Sequence, residues 1–531
     1  MADPEDSTMP PMDESLWRHG RRRFDSDQLP VGERMGVVVV GAGLTGLVTA
    51  YLLARSGHHV IVLDAYDPGS LTTGGSTGKV SLLQGATLSA IAEHLPDEVV
   101  NAYVTANQAG QRWLLDFMGS HDVPFEERPA YSYADSSAGM VRLEREYDLG
   151  RSAGLPLERS RDTELPWKVG LALRLNNQLH INTMLLIDVL VAEVRALGVR
   201  VVGSCTATAV TATHDGYRVQ TTQGEIDAGR VIAATGIPFL SRGGHFARIE
   251  AKRSSVAAYS GAGEWLRGMY LSVDEPRRSL LSTDLTHTNF VSGDVASDNR
   301  MLLVGGAAGV VGRPRTFTES PADVDEWTSA RFPGATLFRR WWAQDYTTLD
   351  NAPYVGPLHP GEHGILVATG YAKWGLANAA AAGIALTALV NGQGLAWAHT
   401  LYRRRGWPAP NIAQMIDTNA HVAVETARGA ARLVAIEHDP AGKDDAGVAL
   451  DGLKPVAQCT VNGVTHRVSA ICPHLGGVVT WNSAEASWDC PLHGSRFAPD
   501  GTRIEGPARS GLAAVHVGKH SDATPAPNPD E

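Results

Sequence analysis

The chain has 531 residues, more than one hydrophobic core usually serves, so two or three domains are expected. Its formal net charge of -11 at pH 7 excludes the broadly basic surface that binds nucleic acid or anionic lipid. Small molecules and redox proteins are therefore the expected partners. Only four cysteines occur, too few for a disulfide scaffold and compatible with a reducing compartment, which predicts a cytoplasmic protein.

Residues 1–35 are rich in Pro, Asp, Glu and Arg and show little periodicity, which predicts a flexible N-terminal arm. Within this arm, residues 21–24 (RRRF) faintly suggest a twin-arginine export signal. The residues that follow, 25–30, are polar, whereas an export signal needs an apolar stretch directly after its basic region. The segment is therefore interpreted as a basic arm.

A βαβ unit is predicted next, because an apolar run at 37–40 leads through a glycine-rich turn and a helical stretch to a second apolar run at 60–63. The first glycine permits a tight turn, the second lets backbone amides approach a pyrophosphate, and the third allows the helix to pack against the strand. An acidic residue after the second strand would accept a hydrogen bond from a ribose hydroxyl. These predicted nucleotide ligands are Gly41, Gly43, Gly46 and Asp64. The motif alone does not separate NAD from FAD, and a doubly wound fold without nucleotide is the alternative.

The middle of the chain predicts further helices and strands, followed by mostly strands and turns at about 245–335. Residues 364–390 are long and apolar enough to cross a bilayer, but Lys373 and several glycines interrupt them. This pattern predicts a buried strand followed by a helix that faces a cofactor, and no integral membrane segment. Beyond it, 406–424 has the composition of a linker.

The strongest motif lies near the C-terminus, where a C-x-H pair is followed after fifteen residues by a C-x-x-H pair. Thiolates suit iron-sulfur chemistry, and two imidazoles in place of two thiolates raise the reduction potential, as in a Rieske 2Fe-2S cluster. A tetrahedral zinc site is the alternative that the ligand count permits. The spacing argues against a zinc finger, whose histidines follow one another. The predicted metal ligands are Cys472, His474, Cys490 and His493.

The run CPHLGGVVTWNSAEASWDCPLHGSRFAPDGTRIEGPA resembles Rieske domains, especially those fused to flavoproteins of the D-amino-acid oxidase and glycine oxidase superfamily. The resemblance implies an α/β FAD-binding Rossmann-like domain with an inserted α+β substrate domain, and a C-terminal all-β Rieske domain. The expected boundaries are an FAD-dependent oxidoreductase domain at 36–405, a Rieske domain at 425–520 and a disordered tail at 521–531. Within the first domain, FAD-binding parts are expected at about 36–97, 166–240 and 340–405, and substrate parts at about 98–165 and 241–339.

The resemblance also implies further cofactor contacts and two cofactors, FAD and a Rieske-type 2Fe-2S cluster. RVIAATG and ATGYAKWG look like the second and third flavin-contacting segments of the superfamily, and 72–84 is similar to its flavin loop. That loop departs from the family at positions including Gln84, which puts in doubt a histidine beside the flavin. The FAD ligands implied in these segments are Lys79, Thr235, Gly236, Gly370 and Gly375.

Around the cluster, the sequence departs from the respiratory branch of the Rieske family. Gly477 and Leu492 stand where that branch has two additional cysteines joined in a disulfide. Ser495 matches the serine that hydrogen-bonds a cluster sulfide, but Phe497 stands where high-potential members have a tyrosine. With fewer hydrogen-bond donors to the cluster sulfurs, the reduced cluster is stabilised less. The resemblance therefore predicts a reduction potential below that of the respiratory type.

The resemblance implies oxidation of a small amine or amino-acid-like substrate, with electrons relayed singly through the cluster to a ferredoxin-like or other redox carrier. Catalytic residues are not evident; by resemblance Tyr346, Lys373 and Trp374 lie near the flavin, with packing or solvated roles as alternatives. Arg277 and Arg278 could bind a substrate carboxylate, although surface arginines are commoner. Two other functions stay open: a flavin monooxygenase fed through the cluster, and a non-catalytic redox sensor or electron carrier.

Overall fold

The computed structural model describes residues 14–263, 265–286, 288, 299–313, 317, 319–402 and 446–515. The predicted linker at 406–424 and the tail at 521–531 lie outside these residues. Within the described part, no helix is both long and apolar enough to cross a membrane. The apolar stretch at 364–390 instead forms a buried strand and a buried helix, as expected.

The first half of the chain alternates strands and helices. Its elements are β1 (Arg34–Val40), α1 (Leu44–Arg55), β2 (Val60–Leu63), β3 (Lys79–Val80), α2 (Thr87–Ala92), α3 (Asp97–Ser120), β4 (Phe125–Ala134), α4 (Ser137–Ser152), β5 (Glu158–Ser160), β6 (Leu171–Ile181), α5 (Thr183–Ala196), β7 (Arg200–Val202), β8 (Ala207–Thr213), β9 (Gly216–Thr221) and β10 (Gly224–Ala233).

The second half is richer in strands. Two 3₁₀ turns, Ser241–Gly243 and His245–Arg248, precede β11 (Ile249–Ser260), β12 (Met269–Ser272), β13 (Ser279–Asp284), β14 (Arg300–Val310), α6 (Pro321–Arg331), β15 (Thr336–Thr348), β16 (Tyr354–Pro357), β17 (Ile365–Thr369), α7 (Gly375–Val390), α8 (Ala396–Tyr402), β18 (Ala446–Asp451), β19 (Lys454–Val461), β20 (Val464–Ser469), β21 (Thr480–Asn482), β22 (Ser487–Asp489), β23 (Arg496–Phe497) and β24 (Arg503–Glu505).

The first sheet has eight strands and contains the predicted βαβ unit. Strands β17, β10, β1, β2 and β7 run parallel in that order, β16 pairs antiparallel with β17, and the β8–β9 hairpin extends from β10. Buried valines fill β1 at 37–40, as expected for a parallel strand covered on both faces. Helices α1 and α7 pack closely because Gly383 lies against Val48, where a Cβ would come within 2.7 Å of that side chain.

The second sheet has nine strands in the order β15, β11, β14, β13, β12, β4, β6 and β3, with β5 beside β6. It includes β6 and all of β15, so residues 171–181 and 340–348, which were expected within the FAD-binding parts, pair with strands of this second sheet. Helix α3, expected in the substrate part, packs on α7, and a Cβ at Gly110 would lie 2.1 Å from the Ala377 carbonyl oxygen. Which sheet a strand joins depends on long-range pairing, which the local pattern does not reveal.

The N-terminal segment is packed where the structure describes it, which corrects the expectation of a flexible arm. Leu16 and Trp17 are buried. Ser15 Oγ donates to the Gly74 carbonyl at 2.5 Å, and Trp17 Nε1 donates to the Ser76 carbonyl at 2.7 Å. Two large apolar side chains in a polar segment are the reason, because burying them against the 74–76 loop removes apolar area from water. Residues 1–13 lie outside the described part.

The C-terminal part is all β within the described residues 446–515, as expected. A three-stranded antiparallel sheet, β18–β19–β20, stands beside a four-stranded one, β21–β22–β23–β24. Apolar side chains of both sheets form a separate small core that includes Trp488 and Phe497. This small core also contains Cys472 and Cys490.

Candidate cofactor sites and the wall between them

The glycine-rich turn has the close approaches that its pattern predicts. Gly41 has φ +109°, and a Cβ there would lie 2.4 Å from the Ala234 carbonyl oxygen. A Cβ at Gly46 would lie 1.8 Å from the Gly41 carbonyl oxygen, so only glycine lets α1 begin this close to β1. Gly43 is the N-cap of α1. The N–H groups at the start of this helix therefore form a site suited to a pyrophosphate.

A cavity of about 1010 Å³ opens beside this turn and runs between the two large sheets. It is large enough to enclose most of a dinucleotide cofactor. Nearly all the residues predicted to contact FAD line this cavity. Gly46 is the exception, and it packs against the glycine-rich turn. The predicted residues on its wall are Gly41, Gly43, Asp64, Lys79, Thr235, Gly236, Tyr346, Gly370, Lys373, Trp374 and Gly375.

Asp64 ends β2 at one end of the cavity. Its carboxylate accepts hydrogen bonds from the N–H groups of Ala42 at 2.5 Å and Tyr66 at 2.9 Å. Burial raises the pKa of Asp64 to about 6, although the two N–H donors oppose this shift. The position at the end of the second strand fits a ribose ligand.

Lys79 fastens the 72–84 loop to the second sheet. Its ammonium donates to the Tyr270 carbonyl at 3.1 Å, the Ser279 hydroxyl at 2.6 Å and the Leu280 carbonyl at 3.3 Å. These contacts take up the three donors of an ammonium group. Burial lowers the pKa of Lys79 to about 7. Lys79 lines the cavity, but all three N–H donors of its ammonium group are bonded to protein acceptors.

The two arginines considered for a substrate carboxylate differ. Arg278 is buried and forms a two-bond ion pair with Glu319, with N–O distances of 2.6 Å, and it does not line the cavity. The expectation that Arg278 binds substrate is therefore wrong, because breaking a buried ion pair is costly. Arg277 lines the cavity and pairs with the exposed Glu275 at 2.9 Å.

The strands β11 and β15 form a ribbon that lies between the cavity and part of the C-terminal domain. In their antiparallel register Lys252 lies opposite Asp345, and Arg253 lies opposite Gln344. Lys252, Gln344 and Asp345 line the cavity, while Arg253 and Gln344 bond to residues of the C-terminal domain. The ribbon thus contacts both candidate cofactor sites.

Asp345 was not anticipated from the sequence. Its Oδ2 is buried without a hydrogen-bond partner among the described residues. Burial raises the pKa of Asp345 to about 6, against the opposing effect of the nearby Lys373 ammonium. Burial lowers the pKa of Lys373 to about 8, and Lys373 Nζ donates to Ser254 Oγ at 2.7 Å. The cavity therefore has an acid and a base that both titrate near neutral pH. The only sequence signal that could have indicated Asp345 was a charged residue within the strand segment AQDYTT.

The four predicted metal ligands converge in the C-terminal domain as a pair of cysteines and a pair of histidines. The His474 and His493 rings lie 5.0 Å apart between centroids, nearly perpendicular. A hydrogen bond between the two thiols lowers the pKa of Cys472 and raises that of Cys490. Burial lowers the pKa of both imidazoles, which favours the neutral form that binds metal.

This pairing fits a two-iron cluster. Both ring nitrogens of His474 are buried without a hydrogen-bond partner among the described residues, as expected of a side chain that binds a metal. A Rieske cluster needs two cysteines on one iron and two histidines on the other, whereas zinc needs all four ligands around one ion.

The surroundings of the cluster site agree with the departures seen in the sequence. The cysteines of the described residues are all free, and a Cβ at Gly477 would lie 2.7 Å from the Leu492 side chain. Phe497 is fully buried and brings no hydroxyl. Ser495 Oγ accepts from the N–H of Ala508 at 3.1 Å, so the segment at 506–508 packs on the loop that carries Cys490 and His493.

The C-terminal domain docks on the first domain at the cluster loops. The Phe246 ring lies edge-on to the His474 and His493 rings, at 5.9 and 5.1 Å between centroids. Arg313 Nε donates to the Pro491 carbonyl at 3.1 Å. The docked domain also contributes to the cavity wall, with Arg503, Glu505, Gly506, Ala508 and Arg509.

Comparison with known families agrees with both sites. A family model described as FAD dependent oxidoreductase matches residues 36–389, and one described as Rieske [2Fe-2S] domain matches residues 437–516. The chain belongs to the family of FAD-dependent oxidoreductases. This family member is an enzyme with FAD and a C-terminal Rieske 2Fe-2S cluster as its cofactors.

Individual relatives extend this result. A Bacillus subtilis protein, YhfW, whose name describes a Rieske 2Fe-2S iron-sulfur protein, is 27% identical over 508 residues, which are 95% of this chain and 98% of YhfW. The cytochrome b6-f iron-sulfur subunit of rice is 48% identical over 53 residues, 10% of this chain and 24% of that subunit. The structure of glycine oxidase from Geobacillus kaustophilus has a TM-score of 0.56 at 18% identity, covering 70% of this chain and 99% of the oxidase. The last likeness shows the fold of the FAD-containing part.

Proposed function

We propose that this oxidoreductase oxidises a small amine or amino-acid-like substrate at FAD and passes the electrons singly through the Rieske cluster to an external acceptor. The observation that supports this most is the shared wall, since residues of β11 and β15 line the cavity and residues of the same two strands bond to the cluster domain. A second support is that residues of the cluster domain complete the cavity.

Bound FAD supplies a hydride acceptor, and the cluster supplies one-electron transfer. The N–H groups after Gly41 and the N-terminus of α1 would hold the FAD pyrophosphate, and Asp64 the ribose. The N-terminus of α7, which begins at Gly375 directly after Lys373 and Trp374, would place its partial positive charge near the flavin ring. Thr235, Gly236 and Gly370 would lie along the cofactor between these ends.

Side chains on the opposite wall would bind the substrate. Asp345 would hold the substrate nitrogen and accept its proton, because its Oδ2 is a buried carboxylate oxygen without a partner among the described residues. Lys373 and Arg277 would attract a substrate carboxylate. Two solved structures with this fold are a glycine oxidase and an L-proline dehydrogenase, whose names specify amino acid substrates.

Cys472 and Cys490 would bind one iron of the cluster, and His474 and His493 the other. The acceptor would be a one-electron carrier, for example of the ferredoxin type, because the cluster passes electrons singly. The net charge of -11 gives no support for a nucleic acid partner. The few cysteines suit work in the cytoplasm.

The test is an anaerobic screen of amines and amino acids with the full-length loaded protein. A substrate should bleach the flavin without added reductant, and the electron paramagnetic resonance (EPR) signal of the reduced cluster should then appear. A protein whose flavin is reduced only when a reduced carrier is added would contradict the proposed direction. Product formation that needs both oxygen and a reductase would favour a monooxygenase.

A further inference from the structure

Gln344 bridges the two cofactor sites. Its side chain is only 1% exposed in the middle of the wall formed by β11 and β15. Its Nε2 donates one hydrogen bond to the Tyr346 hydroxyl at 3.0 Å and another to the Gly494 carbonyl at 2.9 Å. A single amide group thus contacts a side chain of the FAD domain and the backbone of the cluster domain.

Each end of this bridge lies at a cofactor site. The Tyr346 ring packs on Gly236 in the cavity wall, where a Cβ would lie 2.5 Å from the ring. Gly494 directly follows His493, and its own N–H donates to the Cys490 carbonyl at 3.1 Å. Two hydrogen bonds therefore lead from a side chain on the cavity wall to the loop that carries two of the cluster ligands.

The orientation of the amide is fixed by these two contacts. The Gly494 carbonyl can only accept, so the nitrogen of Gln344 must point to it, and Oε1 is left buried without a partner among the described residues. Gln344 also lines the cavity, so its amide lies between the FAD site and the loop that carries Cys490 and His493. Gly494 also has φ +73°, and a Cβ there would lie 2.3 Å from Ala251, so glycine allows the loop to lie directly on the wall.

We propose that Gln344 is the positioning residue for electron transfer between flavin and cluster, by joining the Tyr346 hydroxyl to the Gly494 carbonyl. This inference rests on the proposed function and adds the path by which electrons pass from the flavin to the cluster. The step oxidises the reduced flavin by one electron and reduces one ferric iron of the cluster to ferrous. A one-electron carrier then reoxidises the cluster before the second electron follows, and the flavin protons go to solvent.

The test uses full-length Gln344→Leu protein loaded with both cofactors. After flash photoreduction of the flavin without oxygen, the rate of cluster reduction should fall several-fold, while both midpoint potentials stay as in the wild type. Thr480→Val is the matched control, because it removes a different interdomain hydrogen bond, from Thr480 Oγ1 to the Gly312 carbonyl at 3.0 Å. This control should keep the wild-type rate. Iron, sulfide and FAD contents and the circular dichroism spectrum identify any variant that fails to fold.

Tyr346→Phe provides a second variant, since it keeps the ring and removes the hydroxyl. It should also slow the transfer, and the double variant with Gln344→Leu should be no slower than the slower single variant, because both act on one route. An unchanged rate in Gln344→Leu, or a loss explained entirely by shifted potentials, would overturn the inference. Absence of flavin-to-cluster transfer in the wild type would instead refute the proposed function.

Discussion

The buried ion pair between the two domains allows a sharp test of how they are held together. Arg253 is 1% exposed and forms two bonds with Glu485, one of them at 2.6 Å, while its third nitrogen lies 3.4 Å from Glu505. Both carboxylates are only 5% exposed. Replacing Arg253 with methionine keeps much of the side-chain volume but removes the charge that compensates these carboxylates.

The cost can be worked from the contacts that remain. Removing one partner of a buried ion pair costs about 3–5 kcal/mol. Glu485 keeps Arg496, whose guanidinium lies at 3.1 Å, so the lower end, about 3 kcal/mol, is expected. Burial raises the pKa of Glu505 despite Arg253, whereas the two arginines keep the pKa of Glu485 below its ordinary value. Most of the loss should therefore come from Glu485.

The assay is urea denaturation of the full-length loaded protein, with visible absorption reporting the cofactors and circular dichroism reporting the fold. Arg253→Met should lower the midpoint clearly. Arg218→Met is the control, because Arg218 and Asp227 form an exposed ion pair at 2.8 Å that water already solvates, and its midpoint should stay near that of the wild type. A loss in Arg253→Met no larger than in the control would refute the reasoning.

Three further predictions concern the cofactor sites. Phe497→Tyr should raise the reduction potential of the cluster, measured by EPR redox titration. If the new hydroxyl donates a hydrogen bond that favours the reduced cluster by about 1 kcal/mol, the rise is roughly 40 mV. An unchanged or lower potential would contradict this. The rate of flavin reduction by substrate should rise as pH increases through about 6, where Asp345 loses its proton, and Asp345→Asn should lack this rise in stopped-flow measurements. Gly46→Ala places a Cβ 1.8 Å from the Gly41 carbonyl, so it should cost about 1–3 kcal/mol by overpacking and weaken FAD retention on gel filtration; full retention would count against the role of the turn.

The sequence by itself determined the parts of this protein that depend on local spacing. The glycine pattern at 41–46 was recognisable because its spacing is local, and the close contact of Gly46 with the Gly41 carbonyl lies within the turn itself. The two cluster loops could be recognised for the same reason, since each ligand pair lies within one short loop. Once the two loops meet, the two cysteines lie together and the two histidines lie together.

The tertiary structure alone decided what depends on residues far apart in the chain. Asp345, Gln344 and Arg253 gain their importance because β11 and β15 lie between the cavity and the C-terminal domain, and no local pattern shows what these strands contact. Arg278 looked equivalent to its neighbour until the distant Glu319 was found to pair with it. Likewise, β6 and β15 joined the second sheet through long-range strand pairing, a property of the folded chain as a whole.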